Sequence, residues 1–170
     1  IKDFNRVQEL AKEDGIEDMQ KWDGAYYSEK LKKAVFDLED EQLKPYFQLE
    51  NVIQGVFNIA EKLYDLHFEE TTEIDKYHKD VKTYKVTDGK GEFIEIFYAD
   101  FFPRKGKRNG AWMTSYKGQW KKDGVNSRPH ISIVCNFTKP TSTKPSLLTF
   151  NEVTTLFHEF GHALHGMLAN

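Results

Sequence analysis

The most informative stretch of the sequence reads Leu156-Phe157-His158-Glu159-Phe160-Gly161-His162-Ala163-Leu164-His165-Gly166. It lies near the end of the 170-residue chain and contains two histidines four residues apart, with a glutamate directly after the first. Residues four apart on an α-helix project from the same side, so the imidazoles of His158 and His162 can converge on one metal ion. The spacing therefore predicts a two-histidine metal site on a helix.

The residues before this motif predict where its helix begins. The segment Thr149-Phe150-Asn151-Glu152 has the form of a capping box, in which the Thr hydroxyl and the Glu carboxylate bind free N–H groups of the first turn. We expect a helix from about Phe150 that runs without a proline to the end of the chain. At about 100° per residue, its apolar side chains form one stripe, and the histidines fall on another flank. The predicted stripe comprises Phe150, Val153, Leu156, Phe157, Phe160, Leu164, Met167 and Leu168.

Zinc is the metal that this motif favours. Glu159 lies one residue further round the helix than His158, so we predict that it is a general base acting on water rather than a ligand. Zinc lowers the pKa of such a water to about 7. The sequence therefore predicts one Zn²⁺ per site, with His158 and His162 as metal ligands and Glu159 as the catalytic residue.

A catalytic zinc commonly has three protein ligands, and the third is not evident in the chain. His165 is on the same flank but lies seven residues beyond His158, which is about 10 Å along the helix axis and too far for a shared ion. We expect the third ligand to be a carboxylate beyond Asn170, and His165 to be a residue beside the site or in its cleft. The residues do not identify a substrate-binding set.

Two glycines interrupt the predicted helix. Gly161 costs about 1 kcal/mol relative to alanine at a mid-helix position. We expect another backbone or a substrate to pack against it, and Gly166 to be either a second close approach or a weak point of the helix.

The composition is typical of one folded domain. The 24 Lys and Arg nearly balance the 27 Asp and Glu without a long block of like charge, which gives no support for a nucleic-acid partner. No apolar run is long enough to predict a membrane span. Cys135 is the single cysteine, so no internal disulfide can form, and we expect a buried thiol. The ends of the chain lead us to expect a fragment cut at both ends, from a cytoplasmic protein or from a periplasmic one whose signal peptide was removed.

The rest of the chain predicts a mainly α fold with a small antiparallel β-sheet. Helices are expected at residues 4–13, 26–38 and 49–66, with Asp23 capping the second. The third helix has an apolar stripe of Val52, Ile53, Val56, Phe57, Ala60, Leu63 and Tyr64. Strands are expected at residues 84–86, 93–98 and 131–136, and the first two form a hairpin around the turn signal Asp88-Gly89.

The motif and several upstream segments resemble the thimet oligopeptidase and peptidyl-dipeptidase Dcp family of zinc metallopeptidases, most closely its bacterial Dcp branch. The resemblance covers most of the chain from about Trp22 onward. Besides the residues quoted at the outset, it rests on Trp22-Asp23, Tyr26-Tyr27-Ser28-Glu29-Lys30-Leu31, Leu43-Lys44-Pro45-Tyr46-Phe47, Gly106-Lys107-Arg108, Gly110-Ala111-Trp112 and Cys135-Asn136-Phe137-Thr138-Lys139-Pro140.

The resemblance implies part of the catalytic domain of a large helical zincin-type fold, with a two-lobed shape and a deep cleft for short peptides. It implies hydrolysis of short oligopeptides with release of C-terminal dipeptides. His158 and His162 match the zinc-binding histidines, Glu159 matches the catalytic glutamate, and a later glutamate supplies the third ligand. By the same analogy, we expect the strand at residues 131–136 to line the cleft and to pair with an extended peptide.

Two alternatives stay open. One is a zinc aminopeptidase or endopeptidase of another H-E-x-x-H family, which would need different residues around the histidines. The other is a non-enzymatic helical interaction module with an unused site, which would bind no zinc. The sequence does not determine the cleavage position or the oligomeric state.

Overall fold

The computed structural model describes residues 2–36 and 40–169 and divides the chain into two units, one up to Leu43 and one from Lys44 onward. The first unit contains helices α1 (Lys2–Glu13), α2 (Gly24–Phe36) and α3 (Asp40–Leu43). Helices α1 and α2 pack through Val7, Ala11 and Tyr27, which are all buried. The predicted helices at residues 4–13 and 26–36 are confirmed, and the predicted end of the second, at Leu38, lies outside the described residues.

The cap predicted for the second helix differs from the one observed. Asp23 precedes Gly24, the first helical residue, but its carboxylate accepts a hydrogen bond from the Gln20 N–H at 2.9 Å. The Asp23 side chain therefore stabilises the turn before the helix, while its backbone carbonyl accepts from the Tyr27 N–H.

The second unit contains the remaining elements. After a short 3₁₀ turn at Lys44–Tyr46 come helix α4 (Leu49–Tyr64), strands β1 (Leu66–Glu70), β2 (Lys82–Asp88), β3 (Phe93–Asp100), β4 (Trp112–Lys117), β5 (Trp120–Lys122), β6 (Val125–Ser127) and β7 (His130–Val134), and helix α5 (Phe150–Leu168). In the described part of the chain, no helix is long and apolar enough to cross a membrane.

The sheet is larger than predicted and is mixed rather than antiparallel. Its five strands lie in the order β1-β2-β3-β7-β4, and β5 and β6 form a separate two-stranded ribbon. Strand β7 runs parallel to β3 and antiparallel to β4. The parallel pair arises because the chain passes from β3 through β4 and the β5–β6 ribbon before β7 enters the sheet between β3 and β4. Local sequence patterns do not encode such a long connection.

The predicted hairpin is confirmed as β2 and β3, which pair antiparallel with a bulge between Val86 and Thr87. The turn is held by the carboxylate of Asp88, which accepts from the backbone N–H groups of Lys90 at 3.0 Å and Glu92 at 2.8 Å. Such side-chain bonds to the following backbone are the reason that Asp favours turns.

Helix α4 ends two residues before the predicted limit. Asp65 has a left-handed backbone with φ of 56°, and its N–H bonds to the Glu61 carbonyl, so the chain turns and Leu66 enters β1. The predicted stripe is correct at Val52, Val56, Phe57 and Ala60, which are buried. It is wrong at Leu63 and Tyr64, which are exposed.

The main core lies between one face of the sheet and helices α4 and α5. Phe160 of α5 occupies its centre, with ring centroids 5.7 Å from Phe97 of β3 and 6.0 Å from Phe57 of α4. Edge-on and tilted aromatic pairs at these distances add to the free energy gained by burial. The residue next to Glu159 therefore anchors α5 on both neighbouring elements.

Candidate active site

Helix α5 begins where the capping box predicts. The Glu152 N–H donates to Thr149 Oγ1 at 3.2 Å, and the Thr149 N–H donates to Glu152 Oε2 at 2.8 Å. These reciprocal bonds satisfy two N–H groups of the first turn. The cap sets where the helix begins, whereas packing against the sheet and α4 decides which of its side chains are buried.

The core face of α5 is rotated from the predicted stripe. The buried residues are Val153, Leu156, Glu159, Phe160, Ala163 and Met167. The prediction is wrong for Phe150, Phe157 and Leu168, which are exposed. The histidines lie off the core face as predicted, because His158, His162 and His165 are all exposed.

The imidazoles of His158 and His162 approach each other through the same ring atom. Their Nε2 atoms are 3.2 Å apart, and the ring centroids are 4.8 Å apart with an interplanar angle of 86°. Two nitrogens on a tetrahedral zinc, each at 2.0–2.1 Å, would be about 3.3 Å apart. The observed separation therefore fits a zinc ion held by both Nε2 atoms.

Glu159 lies between the exposed histidines and the core. Its side chain is 8% exposed, and it is close enough to Cys135, after β7, to affect the titration of that thiol. Burial, followed by the charge of Glu159, raises the pKa of Cys135 to about 12. The prediction of a buried thiol is confirmed, since Cys135 is fully buried. Glu159 is thus a buried residue close to Cys135 and beside His158 in sequence.

The described residues contain no group of three or more His, Cys, Asp or Glu side chains that could hold a metal ion. His165 is exposed and lines a shallow pocket with Tyr64, Gly161 and Leu164, among others. It does not join the histidine pair in a three-ligand group within the part of the chain that the structure describes. The third ligand beyond Asn170 stays a prediction.

Comparison with known proteins identifies the family to which the chain belongs. The sequence profile described as peptidase family M3 matches residues 1–170. The chain belongs to peptidase family M3. It is 42% identical over 169 residues to oligopeptidase A of Salmonella typhimurium, covering 98% of this chain and 25% of the relative. It is 43% identical over 161 residues to dipeptidyl carboxypeptidase of Escherichia coli, covering 94% and 23%.

A more distant relative is the thimet-like oligopeptidase of Dictyostelium discoideum, 38% identical over 149 residues, which are 86% of this chain and 22% of the relative. The M3 chain therefore spans about a quarter of the length of the curated relatives that it matches.

The two glycines of α5 have different environments in the M3 chain. A Cβ built on Gly161 would have no described neighbour within 4 Å, so the expected close backbone approach is absent from the described residues. A Cβ on Gly166 would lie 2.4 Å from Ile131 Cδ1 of β7. Gly166 is thus the position where α5 lies directly against the Ile131 side chain, which would have to shift to accept a Cβ.

The last turn of α5 is also tied to the sheet by Arg128. Its Nη2 donates to the Met167 carbonyl at 2.6 Å and its Nε donates to the Ile94 carbonyl of β3 at 2.7 Å. The guanidinium satisfies a carbonyl that the helix end leaves without an intrahelical partner. The helix that carries the histidine pair is therefore capped at its start and joined to the sheet at its last turn.

The strand expected to bind peptide is not available for it. Residues 131–134 of β7 are paired on one side with β3 and on the other with β4, so the prediction that an extended peptide pairs with this strand is wrong at those residues. That residues 131–136 line a cleft stays a prediction. Within the described residues, the outer side of β4 pairs with no strand. Strand β4 also packs against α5. The open edge beside the helix therefore belongs to residues 112–117, which the sequence analysis did not assign.

The loop that leads into β4 is held by a buried ion pair. Lys107 Nζ donates to Asp100 Oδ1 at 2.9 Å and to the carbonyls of Asp100, Phe102 and Cys135 at 3.0, 2.8 and 2.5 Å. Arg104 binds both carboxylate oxygens of Asp100, at 2.8 and 2.9 Å. Although burial alone would raise it, the pKa of Asp100 is lowered by these hydrogen bonds. Arg104 and Lys107 therefore stabilise the fold by binding Asp100.

Proposed function

We propose that the protein is a zinc-dependent peptidase that hydrolyses peptide bonds in short oligopeptides, with release of C-terminal dipeptides. The single observation that carries the proposal is the 3.2 Å approach of the two Nε2 atoms, with Glu159 as the adjacent residue. Membership of family M3 and the names oligopeptidase A and dipeptidyl carboxypeptidase support the reaction and the substrate class.

His158 and His162 would hold one Zn²⁺ through Nε2. When bound, zinc supplies a Lewis acid that makes water more acidic and polarises a peptide carbonyl. The Glu159 carboxylate accepts a proton from water as the oxygen attacks the peptide carbon. The same carboxyl then donates the proton to the amine that leaves when the C–N bond breaks. A nearly buried carboxylate suits this role because few solvent molecules compete for it.

We propose that an extended peptide adds to the open edge of β4 by backbone hydrogen bonds. Strand β4 is the last strand in the order β1-β2-β3-β7-β4, so its outer edge is unpaired among the described residues. Helix α5 packs beside this strand. Recognition through backbone groups tolerates many side chains, which suits an enzyme for diverse oligopeptides.

The proposal extends to parts that the described residues do not contain. It includes a carboxylate third ligand beyond Asn170, and a catalytic domain of the large helical zincin type of which residues 1–170 form one part. It also includes a cytoplasmic location. The histidine spacing alone also fits another H-E-x-x-H peptidase, but membership of family M3 disfavours that alternative. A non-enzymatic module is the remaining rival, and metal binding separates the two.

The test is the zinc content of the full-length protein with three matched substitutions. His158→Ala and His162→Ala each remove one proposed ligand, and His165→Ala removes an exposed histidine of the same helix. We expect about one zinc per chain in the unmodified protein and in His165→Ala, and a large loss in the other two. Equal zinc content in all four proteins, or none in any, would refute the proposed site.

The cleavage position is tested separately with a quenched short peptide and its C-terminally amidated form. Release of dipeptides from the free peptide alone supports the part of the proposal that concerns release of C-terminal dipeptides. Equal internal cleavage of both peptides would contradict that part and leave zinc-dependent hydrolysis in place.

A further inference from the structure

Asn136 lies directly after the fully buried Cys135. Its side chain forms hydrogen bonds that join the end of β7 to the loop that leads into β4. Its Nδ2 donates to the carbonyl of Arg108 at 3.0 Å and to the carbonyl of Gly110 at 2.8 Å. Gly110 has a φ of 97°, a left-handed conformation that side chains rarely adopt. One amide group therefore fixes an unusual turn two residues before the first residue of β4, Trp112.

The described hydrogen bonds of the Asn136 side chain are all donated by Nδ2, because its buried Oδ1 has no partner among the described residues. Its two donated bonds define the path of the chain into the edge strand.

The neighbouring contacts place this turn close to the proposed catalytic residue. The carbonyl of Cys135 accepts a hydrogen bond from Lys107, whose side chain is 3% exposed. Burial raises the pKa of the Cys135 thiol, and the thiol is close enough to Glu159 for the carboxylate charge to raise this pKa further. Trp112 pairs with Val134, two residues before Asn136. Any shift of the loop would therefore move the start of β4 relative to α5.

We propose that Asn136 is a positioning residue that holds the start of edge strand β4 for peptide binding. This inference rests on the proposed function and adds to it a residue that acts on binding rather than on the chemical step. Without the two Nδ2 bonds, residues 108–111 have more conformations, and the peptide must order them when it binds, which weakens binding.

The test uses the full-length protein with Asn136→Asp and Asn136→Ala. The first keeps the size and shape of the side chain but replaces the donor by a carboxylate oxygen, and the second removes the donor without adding charge. Asn126→Asp, in the exposed β5–β6 ribbon, is the matched control for charge, because only its Oδ1 has a described bond, accepting from Gln119.

We expect both Asn136 variants to raise KM for a short peptide about tenfold, which corresponds to about 1.4 kcal/mol of binding free energy used to order residues 108–111. We expect kcat and zinc content to match the unmodified protein and Asn126→Asp. A labelled peptide should also bind about tenfold more weakly when Glu159→Gln is combined with Asn136→Asp than with Glu159→Gln alone.

A merely structural role gives a different result. Partial unfolding would lower kcat and zinc content together and leave KM unchanged, and that outcome, or unchanged KM with full activity, would overturn the inference. If the unmodified protein neither binds zinc nor cleaves peptide, the proposed function fails, and the inference that rests on it is refuted with it.

Discussion

Replacement of Gly166 by alanine should destabilise the protein, although alanine favours helix. The new Cβ would lie 2.4 Å from Ile131 Cδ1 and 3.5 Å from Ile131 Cγ1. Carbon atoms in contact prefer about 3.5–4.0 Å, so the methyl group would need to move by about 1 Å or more. Ile131 is 1% exposed and has little space for this movement.

Gly161→Ala is the matched control, since it lies on the same helix and its Cβ would meet no described atom within 4 Å. Both substitutions gain about 1 kcal/mol of helix propensity. Overpacking of a buried site costs about 1–3 kcal/mol, and it applies to Gly166→Ala alone. We therefore expect Gly161→Ala to be the more stable variant by about 1–3 kcal/mol.

The assay is urea denaturation of the full-length variants. Ile131→Val removes the Cδ1 atom that clashes, so in the Gly166→Ala background it should restore stability, whereas alone it should cost about 0.5–1.5 kcal/mol. Equal stabilities of Gly161→Ala and Gly166→Ala, or additive effects of Gly166→Ala and Ile131→Val, would refute the close approach of α5 to β7.

Three further substitutions test the core and the caps. Thr149→Ala removes the capping box of α5 and should lower the unfolding free energy by about 1 kcal/mol in urea denaturation, and no loss would contradict the cap. Asp100→Asn leaves the buried Lys107 without its counter-ion and should cost about 3–5 kcal/mol, and a cost below about 1 kcal/mol would contradict the buried ion pair. Burial, partly offset by Arg128, raises the pKa of Glu95 to about 10, so at neutral pH the folded state keeps a proton that the unfolded chain releases. The stability of the unmodified protein should therefore fall relative to Glu95→Gln by up to about 1.4 kcal/mol per unit as pH rises from 6 to 9, and a constant difference would indicate an ionised Glu95.

Local patterns predicted the parts of the fold that depend on local contacts. The capping box predicted the start of α5 because its two bonds join residues three apart. The hairpin of β2 and β3 followed from the turn signal at Asp88. The stripe of α5 was wrong at Phe150, Phe157 and Leu168 because periodicity identifies apolar side chains but not the neighbours that bury them.

The open edge of the sheet could not be predicted in the same way. Strand β4 lies between Gly110 and Gly118, but its residues Trp112-Met113-Thr114-Ser115-Tyr116-Lys117 do not alternate between apolar and polar side chains, so the sequence did not predict a strand there. Its partner, however, is β7, and strand order depends on long-range contacts that no local pattern reports. The prediction that a peptide would pair with the strand was wrong at residues 131–134 for this reason.

Local sequence patterns also do not predict the polar contacts near the site. The basic loop contains Arg104 and Lys107, but nothing in its sequence indicates that both bind Asp100. The two-histidine arrangement differs, because a spacing of four on one helix brings the Nε2 atoms together without help from other elements.

The most direct test of the central claim is one comparison of zinc content and peptide hydrolysis in the full-length protein and its Glu159→Gln variant. The substitution removes the proposed proton acceptor and keeps both histidines. The account predicts about one zinc per chain in both proteins, and a rate of hydrolysis at least about 100-fold lower in the variant. Hydrolysis at the same rate in Glu159→Gln, with zinc retained, would contradict the role assigned to Glu159.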